Sequence, residues 1–352
     1  MVRLGVLGAG FIGKVHLEKF GKIEGVELAG LYDPLTDLAK KAAADFKVSR
    51  LFKSDKELIE SPDLDAIVVG VPNRLHADLA IRALEAGKHV LLEKPMAMNG
   101  REAASIEKAA RKAGKKLMID HQERYRWASR QVAAKAEAGE LGRIYNAKAW
   151  CWRRSGIPGW GSWFTTKAQS GGGPLIDIGV HSLDLALYLM GGVKPVSVFG
   201  STYAEFGPKK KGIGTWGTPQ WNGTYDVEDM ATALIKLENG ATLTLEVSWA
   251  AHAEASSGVV LMGTEAGAKV IGDEGSLFTN ALSMPVDIPL PAKPATWDPR
   301  IELSRHFIDC IVNDRKPLID GMSGVANSLV LEGIYQSAKT GKMVELDWSI
   351  VD

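Results

Sequence analysis

The run Gly8-Ala9-Gly10-Phe11-Ile12-Gly13 constrains this chain more than any other short stretch in it. It follows an apolar, β-type run at 3–7 and opens an amphipathic stretch at 11–22. In that setting Gly8 permits a tight turn, Gly10 lets the backbone approach a pyrophosphate, and Gly13 lets helix and strand pack closely. A helix beginning there offers free N–H groups and partial positive charge to phosphate oxygens. Gly8, Gly10, Phe11, Ile12 and Gly13 are therefore read as cofactor-binding. Asp33 stands twenty positions beyond Gly13, at the end of the next β-type run. A carboxylate there accepts hydrogen bonds from the adenosine ribose hydroxyls. It repels the 2′-phosphate of NADP, and no Arg follows nearby, so the expected cofactor is NAD. In the plainer reading Asp33-Pro34 only starts the next helix. A methyltransferase also uses an acidic residue after its second strand, but the rest of the chain argues against one.

The strand-then-helix rhythm continues through the first third. β-type runs at 3–7, 27–32, 66–69, 89–92 and 116–120 alternate with amphipathic stretches at 11–22, 35–45, 74–86 and 101–113. Gly87 and Gly114 stand where helix C-caps belong. This predicts βαβ units and a parallel sheet covered on both faces, a dinucleotide-binding domain over residues 1–122. Then the pattern changes. A helical stretch at 123–137 leads into longer alternating runs at 144–152, 196–202, 230–237, 241–249, 258–263 and 267–272, with Asn239-Gly240 as a hairpin signal. A helix at 174–190 interrupts them, and helices at 300–313 and 323–340 close the chain. Residues 205–225, rich in Gly, Pro and Lys, read as a surface loop. The expected fold is α/β, with a second, α+β domain over 123–352 built on a mostly antiparallel sheet.

At 352 residues the chain exceeds one ordinary core. Lys+Arg and Asp+Glu both number 42, so the formal charge is zero. That balance argues against a nucleic-acid partner, which calls for a basic domain, and gives no pull toward anionic membranes. Residues 2–13 loosely resemble a signal peptide, but they are short, glycine-rich and interrupted by Lys14 and His16. No segment approaches the ~20 apolar residues of a membrane span. Cys151 and Cys310 are too few and too far apart for a disulfide framework or a Cys-rich zinc site. The expectation is a soluble, cytoplasmic protein.

Two further stretches carry chemistry. Glu93-Lys94-Pro95 closes the fourth strand of the first domain. Ligands bind at the carboxyl ends of such strands, so Lys94 is expected to face the cofactor's reactive end. Its ammonium there stabilises a developing alkoxide or polarises a carbonyl. Without its position, the tripeptide would be an ordinary surface turn. The second stretch is Gly171-Gly172-Gly173-Pro174-Leu175-Ile176-Asp177-Ile178-Gly179-Val180-His181. Pro174 suits a first helical turn, and Asp177 and His181, four apart, share a helix face. The three glycines imply a close backbone approach. His181 is the type of residue that takes and returns a proton in alcohol oxidation, with Asp177 orienting the substrate or tuning the imidazole. The bland alternative is a helix-face pair with no chemistry. No third ligand accompanies Asp177 and His181 at plausible spacing, so no metal is expected.

A-G-F-I-G-K-V-H at 9–16, V-P-N-R-L-H-A-D-L-A at 71–80, A-G-K-H-V-L-L-E-K-P at 86–95 and G-G-G-P-L-I-D-I-G-V-H-S-L-D at 171–184 together resemble the glucose–fructose oxidoreductase, inositol dehydrogenase and rhizopine-catabolism (Gfo/Idh/MocA) family. The resemblance implies an N-terminal Rossmann domain and a C-terminal domain with a large open sheet that forms a homo-oligomer interface, in a dimer or tetramer. It implies a substrate bound between the two, against the nicotinamide. It makes Lys94, Asp177 and His181 the catalytic residues: His181 as general base or acid, Lys94 as oxyanion stabiliser, Asp177 holding the reacting hydroxyl. It lines the cofactor with Pro72, Asn73, His76, Glu93, Lys94 and Pro95, and makes the Lys94-Pro95 peptide cis.

For the substrate, Trp150, Trp152, Arg153, Arg154, Trp160 and Trp163 precede the catalytic helix. Sugars present C–H faces to aromatic rings and hydroxyls to fixed polar groups. Arg153, Trp160 and Trp163 are the expected contacts, whereas Trp150 and Trp152 read better as core residues of a strand. His121 and Gln122, after the strand at 116–120, are expected near the substrate and the nicotinamide, and Arg124 in a structural ion pair. Trp216 and Trp221 either cover the cleft or ornament the surface. The leading function is an NAD-dependent sugar or polyol dehydrogenase. The alternatives are a glycoside hydrolase that uses NAD transiently for oxidation and elimination, and a non-catalytic NAD-binding sensor.

Overall fold

All four residues of Ala66–Val69 and the last three of His89–Leu92 are buried without alternation, as strands in the middle of a helix-covered parallel sheet must be. The computed structural model, which describes residues 1–351, sets them in the series β1 (Val2–Leu7), α1 (Phe11–Phe20), β2 (Val26–Tyr32), α2 (Thr36–Phe46), α3 (Asp55–Glu60), β3 (Ala66–Val69), α4 (His76–Glu85), β4 (His89–Leu92), α5 (Gly100–Ala113) and β5 (Leu117–Ile119). The five strands pair in parallel in the order β2-β1-β3-β4-β5. The chain leaves β1 for β2 on one side and returns to β3 on the other. A topological switch point therefore lies between β1 and β3, where α/β sheets bind ligands. The sequence pattern had not shown α3: its six residues, capped by Ser54, carry too little periodicity.

The chain continues through α6 (Trp127–Glu137), β6 (Ile144–Trp152), α7 (Lys167–Ser170), α8 (Val180–Leu189), β7 (Pro195–Tyr203), β8 (Met230–Leu237), β9 (Thr242–Ser248), β10 (Ser256–Gly263), β11 (Gly267–Ile271), β12 (Glu274–Ala281) and β13 (Met284–Pro289). It ends with α9 (Pro299–Val312), α10 (Gly321–Thr340) and β14 (Val344–Glu345). Nine strands form one open sheet in the order β13-β12-β11-β10-β6-β9-β8-β7-β14, antiparallel throughout except for β6 beside β9. Alternation decides its faces. Ala231, Ala233, Ile235 and Leu237 point inward with Leu243, Leu245 and Val247, onto a core that includes Leu183, Ala186, Trp249 and Ile334. Asn239-Gly240 forms the β8–β9 turn: Gly240 adopts φ +82° and Asn239 Oδ1 accepts from the Ala241 N–H. The β12–β13 hairpin escaped the sequence reading because its residues are mostly exposed and show no clean apolar alternation.

Three expectations need correction. First, the chain splits into one unit of Met1–Gln122, Asp298–Val325 and Ile350–Asp352, and another of Glu123–Trp297 and Ala326–Ser349. The second domain therefore does not run unbroken from 123 to the end. Helix α9 returns to the first unit because it covers α1: Phe307 meets Phe20 edge-on at 6.3 Å, and Lys19 bonds Asp298 at 3.0 Å. Second, the helix expected over 174–190 starts as a π-helical turn at Leu175–Gly179 before α8. Third, Trp150 and Trp152 are half-buried on the face of β6 opposite the buried Ala147 and Ala149, so they are not core residues. Among the described residues, no helix is long and apolar enough to cross a membrane.

Candidate cofactor and catalytic sites

Backbone proximity explains the glycines after β1. Gly8 turns at φ +100°, and a Cβ there would lie 2.3 Å from the carbonyl oxygen of Gly70, just past β3. A Cβ at Gly13 would lie 2.0 Å from the Gly8 carbonyl oxygen. Around Gly10 the opposite holds: nothing lies within 4 Å of where its Cβ would be. Two glycines thus let β1, β3 and α1 close up, and the middle one faces the space a pyrophosphate takes. Helix α1 begins on Gly10 with no side-chain cap and no acid in its first turn, which leaves its N-terminus suited to an anion. Phe11 is exposed and Ile12 half-buried. Asp33 Oδ2 accepts from the Ala9 N–H and Oδ1 from the Leu35 N–H, both at 2.8 Å. The carboxylate braces the glycine loop and starts the next segment, and each oxygen keeps a lone pair for a ribose hydroxyl.

At the end of β4 the Lys94-Pro95 peptide is cis, as the resemblance implied. Lys94 is half-buried, and its backbone N–H donates to Glu93 Oε2 at 3.2 Å. Glu93 itself is buried, with His16 Nε2 at 2.9 Å from Oε1. Burial alone would raise its pKa, but the His16 hydrogen bond, helped by Arg300 and Lys94, holds it at about 2. His76 is fully buried, its Nδ1 2.7 Å from the Pro95 carbonyl oxygen and its Nε2 2.9 Å from that of Val71. Burial lowers its pKa. A neutral ring has one proton to donate to these two carbonyls, and it sits between the loop after β3 and the loop after β4. Pro72 is half-buried and Asn73 buried, at the start of the short turn that leads into α4. His121 is buried at the end of β5, and Gln122 is half-buried beside it.

In the second unit the triple glycine also answers to crowding. A Cβ at Gly172 would lie 1.9 Å from the Tyr335 hydroxyl, and one at Gly173 would lie 2.0 Å from the Glu228 carbonyl oxygen. The Glu228 carboxylate holds the start of the helical segment. It accepts from the Gly173 N–H at 3.0 Å, the Leu175 N–H at 3.1 Å and the Tyr335 hydroxyl at 2.9 Å. Burial raises the pKa of Glu228 despite these donors. Asp177 lies in the π turn, a local geometry frequent at functional sites. Its Oδ2 accepts from the indole N–H of Trp249, a fully buried residue, at 2.9 Å. Asp177 and His181 are both half-buried. Arg124 forms the structural ion pair expected of it, a two-pronged bond to the buried Asp184 at 2.7 and 2.6 Å, which Asn327 joins at 2.9 Å.

The expected substrate contacts separate by environment. Arg153 is half-buried and donates to the Gly156 carbonyl at 3.3 Å. Trp163 is half-buried, its ring 3.9 Å from that of Phe164, which in turn meets Trp216 edge-on at 4.8 Å. Trp160 is buried: its indole donates to the Gly207 carbonyl at 2.8 Å, and its ring stacks with Tyr225 and Trp221 under the Lys210 ammonium. It pins the 205–225 loop. Trp249, Glu228 and Tyr335 were missed from sequence, since no local pattern links Trp249 to Asp177 across 72 positions or Tyr335 to Glu228 across 107. Asp120 gave a usable signal, as a polar residue at the carboxyl end of a buried strand.

Residues 2–121 match a family model described as an oxidoreductase family with an NAD-binding Rossmann fold, and residues 129–278 match the GFO/IDH/MocA C-terminal domain. The chain is 32% identical to the D-glucoside 3-dehydrogenase of Escherichia coli (strain K12), over 98% of this chain and 97% of that one. It is 26% identical to the scyllo-inositol 2-dehydrogenase (NAD(+)) of Bacillus subtilis (strain 168), over 98% and 96%. Among solved structures, a levoglucosan dehydrogenase in complex with NADH and levoglucosan shares the fold, with a TM-score of 0.87, 23% identity and coverage of 98% and 99%.

Proposed function

Because the chain belongs to the Gfo/Idh/MocA family of NAD-binding oxidoreductases, we propose that it is an NAD-dependent dehydrogenase oxidising a secondary hydroxyl of a hexose glycoside or an inositol. NAD, when bound, supplies the carbon that accepts the hydride. His181 takes the hydroxyl proton as the C–H hydride leaves, and returns it in the reverse direction. The Lys94 ammonium stabilises the alkoxide as it forms, and Asp177 accepts a hydrogen bond from the reacting hydroxyl. Arg153 and Trp163 contact the rest of the sugar, with His121 near the reacting carbon; Trp160 acts from behind, through the loop it pins. Asp33, followed by the exposed Leu35 where a cation would be needed for a 2′-phosphate, supports NAD over NADP.

The observation that carries this reading is the bracing of Asp177 by Trp249 in a π turn that leads into His181. An idle helix-face pair needs no such support. The test is NADH formation over a panel of glucosides, hexoses and inositols, with His181→Ala alongside. Steady NADH production, reduced on the order of 10²–10⁴-fold by the substitution with NAD affinity kept, is the expected result. Release of an aryl leaving group without net NADH would replace it with the oxidation–elimination glycosidase. NAD binding with neither activity would leave a sensor.

The second unit's sheet supports a homo-oligomer. Phe199 and Leu234, directly paired on β7 and β8, are about half exposed on its open face, and paired apolar side chains of this kind mark association surfaces. Two copies meeting across this face, as a dimer or within a tetramer, is the arrangement proposed, and sedimentation of the wild-type chain against Leu234→Lys checks it. Cys151 and Cys310 carry no disulfide, which suits a reducing cytoplasm.

A further inference from the structure

Beneath Lys94 lies a buried cluster that the hydride chemistry does not use. His16 on α1, Glu93 after β4 and Asp120 after β5 are all buried, and one ligating atom from each falls within 4.8 Å of the others. His16 Nε2 is 2.9 Å from Glu93 Oε1 and 3.5 Å from Asp120 Oδ2. Arg300, near the start of α9, brings its guanidinium to 3.5 Å from the same Asp120 oxygen. The spacing suits a proton better than a metal. Ligand atoms about 2.1 Å from a tetrahedral ion sit roughly 3.4 Å apart, whereas the His16–Glu93 separation is a hydrogen-bond length.

Counting donors exposes a deficit. Facing two carboxylates, Nε2 must carry the imidazole's proton, and it has only one to give. Glu93 has a second donor in the Lys94 N–H. Asp120 Oδ1 has no hydrogen-bond partner at all and is out of contact with solvent. A buried acceptor left in that state costs about 1–3 kcal/mol, more when it is charged. A proton on Asp120 leaves the unpartnered oxygen on a neutral carboxyl, where it costs less, and removes the repulsion between adjacent anions.

We propose that Glu93 and Asp120 share one proton under His16, and that this buried cluster, acting through Glu93, positions Lys94. The part concerning Lys94 rests on the dehydrogenase reading; the shared proton does not. Burial, followed by the charge of Glu93, raises the Asp120 pKa to about 7, against the pull of Arg300 and His16. Glu93 meanwhile stays ionised, facing His16, Arg300, Lys94 and the more distant His76. Asp120 and His16 are positioning residues: they touch Glu93, and Glu93 holds the Lys94 backbone.

The experiment reads aspartate carboxyl carbons by NMR in the full-length chain across pH, beside the pH profile of NADH formation. One aspartate signal is expected to titrate near pH 7, to vanish in Asp120→Asn, and to move upward by about one unit in His16→Gln, which removes a neighbour that favours the anion. In Asp120→Asn the rate profile loses one ionisation while NAD affinity stays within about twofold. If no aspartate titrates between about pH 5.5 and 8.5, or the signal survives Asp120→Asn, the shared proton is overturned, whatever the enzyme turns over. If the signal behaves as expected but the rate profiles of wild type and Asp120→Asn coincide, the link to Lys94 is overturned. A titrating carboxyl in a chain that oxidises no sugar would count against the dehydrogenase reading and in favour of the proton. Should Asp120→Asn fold poorly, His16→Gln decides the matter through the same signal.

Discussion

The two units reach their chemistry by different routes. In the first, site residues lie in short motifs at strand ends, and their supports are local or backbone-borne: Gly8 against Gly70, Asp33 on the Ala9 N–H, His76 between two carbonyls. In the second, Asp177 and His181 are also a local motif, yet what holds Asp177 and the start of its turn comes from the residue just after β9, the segment before β8, and α10. A nucleotide loop needs mainly close backbone contacts and a helix end, which a few glycines supply. The proposed substrate site needs a carboxylate at a fixed angle, and that takes partners from across a sheet.

Two glycines test this division most strongly. Both Gly13 and Gly173 would place an added Cβ 2.0 Å from a backbone oxygen, so alanine at either forces the backbone apart at roughly 3 kcal/mol or more. Gly13→Ala is expected to weaken NAD binding by about 100-fold. Gly173→Ala is expected to leave NAD affinity unchanged while turnover falls by a similar factor, because it moves the π turn. Calorimetric NAD titration and steady-state rates on both variants make the measurement. Loss of NAD affinity in Gly173→Ala would erase the proposed separation.

The same contrast explains what the sequence disclosed. The parallel sheet and the glycine loop were legible because strand–helix alternation and a contiguous motif encode them within a few residues, whereas the cis Lys94-Pro95 peptide was expected only from the family resemblance. The antiparallel sheet was legible where one face is buried, as at β8 and β9. It was lost at β12 and β13, whose exposed residues carry no burial pattern. The return of α9 to α1 depends on Phe20 meeting Phe307, and a face that pairs only in three dimensions leaves no periodic trace. Trp160 looked like a sugar contact because it sits among glycines. Those glycines instead allow close approach of the 205–225 loop: a Cβ at Gly161 would lie 2.0 Å from the Gln220 carbonyl oxygen.

A smaller effect sharpens the role of long-range support. Trp249→Phe keeps most of the ring volume but removes the donor to Asp177 Oδ2. One hydrogen bond to a charged group is worth about 1.5 kcal/mol, so kcat/KM is expected to drop about tenfold with NAD affinity unmoved. In an Asp177→Asn background the same change should cost less than about threefold, since the two act on one interaction. Equal costs in both backgrounds would show that Trp249 merely fills the core.

The smallest expected effect is a difference of sign with pH. In the first unit, His89 Nδ1 accepts from the Lys116 N–H at 3.0 Å. Burial, with Lys115 and Lys116 nearby, depresses its pKa from 6.5 to about 4. The unfolded chain thus binds the proton more readily, and the stability His89 contributes is complete above pH 6.5 and lost as pH falls through 4. Glu228 in the second unit runs the other way: its raised pKa gives a contribution complete below 4.5 that is lost as pH rises through its folded value. Melting temperature against pH, taken as wild type minus variant, separates the two. The difference for His89→Gln, whose amide oxygen can still accept the Lys116 N–H, should climb between about pH 4 and 6.5, modestly because the ring is half exposed. The difference for Glu228→Gln should decline above about pH 4.5. Parallel slopes would mean that burial does not act on these two groups in the opposite senses their chemistry requires.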